Sequence, residues 1–234
     1  MRLYNIRLPH FRSSAGFPDL HIPASRCILL LGDSGSGKSS LLKLLAGFSE
    51  PVGGTIEDEG KRSAILLQNP FHQIIMHTVH DELYFPRINA GSGGDEAETA
   101  VNEIAKILDI RHLLEREIAE LSFGEIQLVM LAATFLTDAE VILLDEPTSH
   151  LDREGVRACY RCVALMAERG KSILVASQNP DEYPFFDLVW IVHNGELHAC
   201  LSAEDFAEKY EEYGIIPDSI PIRERLNELA EKTV

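Results

Sequence analysis

The stretch GDSGSGKSS, residues 32–40, stands between the apolar run CILLL at 27–31 and the run LLKLLAG at 41–47. A short unbroken apolar run bounded by glycine reads as a fully buried strand, and leucines recurring at helical spacing read as one face of a helix. Between the two, Gly32, Asp33, Ser34, Gly35, Ser36 and Gly37 offer almost no side chain to pack. The segment is there for its backbone. Gly32, Gly37, Lys38 and Ser39 satisfy the spacing G-x-x-x-x-G-K-[ST] in the strand-then-helix setting that gives this spacing its meaning. Glycine lets consecutive N–H groups turn inward on phosphate oxygens, and the helix opening at Lys38, Ser39 and Ser40 adds its positive end. Lys38 reaches terminal phosphates from an accessible anion site, and the Ser39 hydroxyl is placed for Mg²⁺. The stretch predicts a loop that holds a nucleoside triphosphate with magnesium.

The chain has 234 residues, 45% of them hydrophobic, enough for a sizeable core in one large domain or a domain with an inserted lobe. Its formal net charge of -16 leaves no basic field to displace the counterions around a nucleic acid, so phosphate must be bound locally and no nucleic-acid partner is expected. Cys27, Cys159, Cys162 and Cys200 are too scattered for a disulfide framework, which fits a reducing compartment. Cys159 and Cys162 form a C-x-x-C, but inside a helical pattern without a second ligand pair, so they read as packing cysteines rather than zinc ligands. His72, His77 and His80 near Asp81 likewise lack a matching pair and read as solvated or packing side chains. The N-terminus MRLYNIRLPHF has no signal-peptide core, and the most apolar run, LVMLAATFL at 128–136, is about half of the ~20 residues that span a bilayer. A cytoplasmic chain is expected, reaching a membrane only through a partner.

Strand-like runs lie at 3–8, 27–31, 63–67, 141–144, 172–176 and 188–193, with helical patterns at 38–46, 96–108, 125–136 and 153–168. Apolar strands alternating with helices predict an α/β fold with a mostly parallel sheet, and place the glycine stretch at a strand's carboxyl end, where such sheets bind ligands. Residues 71–137 break the alternation, with helical patterns around the loop GSGGD at 91–95, and read as an inserted helical lobe. HNGEL at 193–197 predicts a tight turn joining two late strands, a small antiparallel part. SAED at 202–205 caps a short helix that Gly214 ends, and Ile222, Leu226 and Leu229 give a last helix one apolar stripe behind Pro221. The expected organisation is one domain: core at 1–70 and 138–201, helical lobe at 71–137, C-terminal helical segment at 202–234.

VILLDEPTSHLD at 141–152 is the second chemical element. A buried strand ending in Asp145 and Glu146 sets two carboxylates at the same sheet edge as the glycine loop, one to hold a magnesium-bound water and one to polarise the attacking water as a general base. LSFGEIQLVMLAA at 121–133 admits two readings. Ser122 and Glu125 satisfy a capping box, which needs no ligand. The same geometry, with the Gly124 backbone at a helix N-terminus, makes a second anion site that a facing second chain would use.

The set GDSGSGKSS, LLQNP, LSFGE and LLDEPTSHLD, in that order over nearly the whole chain, resembles the nucleotide-binding subunit of an ATP-binding cassette (ABC) transporter. The resemblance implies a P-loop NTPase core, ATP and Mg²⁺ as cofactors, a second ATPase subunit as homo- or heterodimer partner, and an integral membrane transporter subunit. It implies that Lys38 and Ser39 lie in the Walker A loop, Asp145 and Glu146 in Walker B, and that Gln68 links magnesium to the membrane partner. Ser122 and Gly124 would close on the other subunit's ATP, Asp152 would end the dimer-interface loop, and Phe11 would lie under the adenine. QNPFHQIIMHTVHDELYF at 68–85 and YGIIPDSIPIRERLNEL at 213–229 are similar to the energy-coupling factor branch that powers cobalt, nickel or vitamin uptake. Three positions depart from the family pattern. In the signature Phe123 stands where glycine is commonest and Leu128 where arginine is often found, and the stretch ASQNPDE puts Gln178 where the family's switch histidine is expected. ATP binding is expected, with slow hydrolysis. A degenerate half of a heterodimer, and a soluble ABC ATPase of repair or translation, remain the other readings.

Overall fold

The structure is a computed structural model and describes residues 1–9, 17–215 and 217. The strands and helices in chain order are β1 (Arg2–Arg7), β2 (Leu20–His21), β3 (Cys27–Leu31), α1 (Lys38–Leu45), β4 (Gly53–Glu57), β5 (Ser63–Leu66), α2 (Val79–Asn89), α3 (Asp95–Ile107), α4 (Phe123–Phe135), β6 (Val141–Asp145), α5 (Arg153–Glu168), β7 (Ser172–Ser177), β8 (Leu188–His193), β9 (Glu196–Ser202) and α6 (Ala203–Lys209). The larger sheet runs β5-β6-β7-β3-β8-β9, parallel throughout except for β9 against β8. A small antiparallel sheet, β2-β1-β4, completes the expected class.

Every residue of β3, β6 and β7 is buried, as a sheet covered on both faces requires. The two-residue period of a strand then sorts the side chains. Ile28, Leu30, Leu143 and Leu174 join α1 residues Leu41, Leu42 and Leu45 and the small sheet's Leu3 and Ile6 in one apolar layer. Leu29, Leu31, Ile142, Leu144, Ile173 and Val175 face the opposite layer, built by α3, α4 and α5. In the 71–137 stretch, α4 is apolar on almost every side, because its neighbours are helices as well as the sheet.

Three elements are absent from the periodicity reading. α2 contains Pro86 and no continuous apolar stripe, and starts on Thr78, whose side chain accepts from the Asp81 N–H. β2 is two residues long. β4 begins with two glycines, and Gly54 sits at φ 86 with a virtual Cβ 2.3 Å from the Tyr4 carbonyl oxygen, so no other residue fits there. Cys159 and Cys162 pack inside α5, where burial pushes the Cys162 thiol up to about 12. At the far end Ser202 caps α6, and Gly214 stops the following turn at φ 69. The expected helix with Ile222, Leu226 and Leu229 lies outside the described residues. No described helix is long and apolar enough to cross a membrane.

Candidate functional site

The parallel register brings the ends of β3, β6 and β7 to one edge: Leu31 pairs with Ser177 and Asp145 with Ala176. The loop 32–37 leaves β3 at that edge, with Gly35 at φ 78 and Gly37 at φ 111, backbone that glycine adopts freely. Asp33, Ser34 and Gly35 are exposed while Ser36 and Lys38 are buried. Lys38 thus departs from the accessible position expected of it. It is 5% exposed, and its ammonium donates to the Gly32 carbonyl at 2.7 Å and the Asp33 carbonyl at 3.0 Å. Burial lowers the Lys38 pKa, and Glu146, Asp145 and Asp33 work against that shift. The Ser36 hydroxyl is buried with no partner among the described residues, a donor in the loop that a phosphate oxygen would fit.

Sequence reasoning treated the Asn194–Gly195 turn only as a hairpin. In the fold its Gly195 N–H donates to the Ser36 carbonyl at 2.7 Å, so the β8–β9 hairpin braces the glycine loop. Close packing of β8 against Gly32 does the same from below.

Asp145 is 2% exposed and accepts from the Ser39 hydroxyl at 3.0 Å. Its pKa is raised, by burial first, with the Ser39 hydrogen bond opposing. Two hard oxygen donors on adjoining elements fit a magnesium ion. Glu146 follows at φ 54, a left-handed conformation uncommon for a residue with a side chain. Gln178 reaches across from the end of β7 and donates its amide to Glu146 Oε1 at 2.7 Å. The two residues share an open cleft of about 610 Å³ with Thr148, Ser149 and Glu182.

The other expected residues are placed less directly. Gln68 is exposed just beyond β5, at the same sheet edge, and among the described residues no hydrogen bond ties it to Ser39 or Asp145. The glutamine that fixes this strand end is Gln73, which donates to the Ile65 carbonyl at 2.8 Å and accepts from the Leu67 N–H at 2.7 Å. Ser122 completes the capping box with Glu125, accepting its N–H and donating to its carboxylate at 2.7 Å. The Ser122 hydroxyl and N–H together lower the Glu125 pKa. Gly124 approaches the His150 carbonyl so closely that a Cβ would lie 3.1 Å from it. Asp152 caps α5 through the Gly155 N–H at 2.8 Å. Phe11 lies outside the described residues.

With the loop, the paired acids and the capped α4 in place, the comparisons are specific. The family model described as "ABC transporter" matches residues 18–149, more than half of the chain. The chain belongs to the ABC transporter family of ATPases. Among relatives, the energy-coupling factor transporter ATP-binding protein EcfA1 of Mycoplasmopsis synoviae (strain 53) is 33% identical over 199 residues, 80% of this chain and 75% of its own. EcfA2 of Bacillus subtilis (strain 168) is 30% identical over 222 residues, covering 85% and 80%. The solved structure of cbiO1 from Clostridium perfringens, part of the ABC transporter complex cbiONQ, shares the fold with a TM-score of 0.78 at 22% identity, over 97% of this chain and 98% of that one.

Against the ABC pattern, Phe123 has a structural reason. Its ring packs edge-on against Phe71 at 5.5 Å and His150 at 4.2 Å, so one aromatic row joins the segment after β5, the start of α4 and the loop after β6. A glycine at 123 would leave that row without its centre.

Proposed function

We propose that the chain is the ATP-binding and ATP-hydrolysing subunit of an energy-coupling factor-like importer, working as a dimer around two ATP molecules at the inner face of a membrane. Gly32, Asp33, Ser34, Gly35, Ser36, Gly37 and Ser40 offer the backbone and hydroxyl groups of the phosphate cradle, and Lys38 answers the terminal phosphates. Ser39 and Asp145 hold the magnesium ion, with Gln68 reaching it from β5. Magnesium, when bound, offsets phosphate charge and orients the nucleotide. Glu146 takes the proton of the attacking water, and Gln178 holds that carboxylate in place. Ser122 and Gly124 of one subunit meet the nucleotide of the other, with Asp152 at the interface loop and Phe11 beside the base. The helical stretch 71–137 is the lobe that carries Ser122 toward the partner subunit. Exposed Phe71, Ile75 and Ile88 give the integral membrane subunit an apolar place to rest.

The observation that carries this reading is the meeting of Ser39 with Asp145 and of Gln178 with Glu146 beside the glycine loop, at the carboxyl edge of three parallel strands. The test is sedimentation of Glu146→Gln with and without ATP·Mg²⁺, alongside its turnover. That variant keeps shape and loses the base, so it should form an ATP-dependent dimer that does not hydrolyse. A monomer under both conditions, with no paralogous subunit able to recruit it, rejects the dimer. A degenerate partner subunit is favoured only by Gln178, and brisk wild-type turnover removes it.

A further inference from the structure

The loop after β6 must hold Glu146 in a left-handed backbone conformation, φ 54, that persists only where its surroundings over-determine it. Four contacts do so. The Glu146 N–H donates to the Ala176 carbonyl at 3.0 Å. Gln178 donates to the Glu146 carboxylate at 2.7 Å. Gln127, fully buried on α4, donates to the Pro147 carbonyl at 3.2 Å. The fourth is Thr148, whose hydroxyl donates to Glu182 Oε1 at 2.7 Å.

Glu182 is the unusual member. It lies in the short turn Pro180–Phe185 after Gln178, is 5% exposed, and its second oxygen is buried with no hydrogen bond among the described residues. Burying a carboxyl is costly unless it is hydrogen-bonded, and the bond this one makes is to Thr148. Tyr160 lies beside it, stacked on Phe185 at 4.5 Å and edge-on to Phe186 at 5.5 Å. The Tyr160 phenol is pushed well up, by burial first and then by the Glu182 charge.

We propose that Glu182 is a positioning residue for hydrolysis, a latch that acts through Thr148 to fix the loop bearing Glu146 against the loop bearing Gln178. This rests on the assignment of Glu146 as the base. In this proposal Glu182 acts through Thr148 and not on the reacting atoms. Its work is geometric: the Glu146 N–H already joins the ends of β6 and β7 at the Ala176 carbonyl, and two side-chain hydrogen bonds, Gln178 to Glu146 and Thr148 to Glu182, tie the loops beyond them at two further points. With the Gln178 bond as the single side-chain tie the Glu146 carboxylate swings about that contact. With both its distance to the reacting centre is set.

The experiment is a double-mutant cycle on the full chain, read as steady-state ATPase kinetics, with circular dichroism and melting temperature alongside. Thr148→Val and Glu182→Leu should each lower kcat about tenfold with KM for ATP within about twofold, since loss of alignment is felt in the transition state and not in nucleotide binding. The double variant should be no slower than either single, because both remove the same bond. Thr148→Ser and Glu182→Gln, which keep the hydroxyl and the accepting oxygen, should stay within about twofold of wild type. If Glu182→Leu fails to fold, the Thr148→Val and Thr148→Ser pair carries the comparison. Wild-type kcat in Thr148→Val, or losses that multiply in the double variant, overturns the latch. Glu146→Gln in the same assay separates the two claims: if it abolishes turnover while Thr148→Val leaves kcat unchanged, the latch alone falls. If Glu146→Gln turns over normally, the base assignment falls and takes the latch with it.

Discussion

Gly32→Ala is a small change whose consequence follows from one distance. A Cβ at residue 32 would stand 2.1 Å from the Val192 carbonyl oxygen and 2.9 Å from the Ser36 hydroxyl, and real Cβ contacts essentially never fall under 3.0 Å. The hydroxyl can rotate away, but the Val192 carbonyl belongs to the backbone of β8, so the glycine loop and the strand must part by roughly 1 Å, a misplacement able to cost about 10²-fold in rate. The loop cannot part cleanly, because Gly195 at the tip of the same hairpin holds the Ser36 carbonyl at 2.7 Å and Lys38 holds the Gly32 carbonyl at 2.7 Å. Overpacking of this kind destabilises by about 1–3 kcal/mol. For a chain of this length that lowers the melting temperature by roughly 2–4 °C per kcal/mol. Gly47→Ala, after α1 and outside the glycine loop, is the control. Its Cβ meets nothing within 4 Å and it carries only the strain of φ 76, about 1–2 kcal/mol, with no push against β8. Nucleotide titration and turnover, with thermal melts of both variants, give the answer. Gly32→Ala should lose about two orders of magnitude in kcat/KM, well beyond the control. Wild-type kinetics in Gly32→Ala, or equal losses in the two variants, would show that contact with β8 does not set the loop.

Gln178→His should raise turnover at saturating ATP·Mg²⁺ by roughly tenfold, about 1.4 kcal/mol, because the imidazole repeats the 2.7 Å contact to Glu146 and adds a charge-assisted bond when protonated. Steady-state rates across pH decide, since a gain that fails to shrink above the ordinary histidine range is not the work of that charge. A second expectation concerns stability. His80 on α2 has its pKa raised, first by the hydrogen bond to Glu98 on α3 at 3.2 Å, with burial opposing and Asp81 adding a little. A raised value makes its contribution complete below about pH 6.5 and progressively lost as pH rises through the folded-state value. Solvent screening limits this partly exposed pair to about 0.5 kcal/mol. Melting temperatures of wild type and His80→Gln should therefore differ slightly at pH 5.5 and converge by pH 8.5 on the order expected for such a pair, and a constant gap would assign the effect to the stacking on Tyr84 instead.

The sheet was legible in the sequence because every central strand is buried on both faces, so CILLL, VILLD and SILVAS carry unbroken apolar runs that no exposed segment would tolerate. α5 was legible to its ends as the helical pattern at 153–168, and the fold adds Asp152 as its cap and a buried stripe along Ala158, Cys162 and Met166. α2 was not, because a helix clamped between α3 and α4 draws its stability from tertiary contact and carries Pro86 within it. β4 was hidden by glycines that exist to let β1 approach. The chemical residues were visible where local sequence dictates their place, as with Lys38, Ser39 and Asp145. The roles of Gln73, Gly195 and Glu182 were invisible, since each acts on a segment brought near only by the fold.

Two of the departures from the ABC pattern, Phe123 and Gln178, bear on whether this site works or merely survives. A site drifting from function loses contacts first, because nothing holds its side chains to a partner. Here both unusual residues are engaged. Phe123 is the middle ring of the row from Phe71 to His150, and Gln178 donates to the carboxylate beside the glycine loop. Glutamine at 178 preserves the donor and its distance while removing the ability to become positive. The alteration therefore falls on charge and leaves geometry intact. A neutral donor cannot follow the growth of negative charge during phosphoryl transfer as a protonated imidazole can, so the expected outcome is a reduced rate with closure around nucleotide retained. Slow hydrolysis with unimpaired ATP-driven dimerisation is the combination this arrangement favours, and a chain that hydrolysed slowly and also failed to dimerise would contradict it.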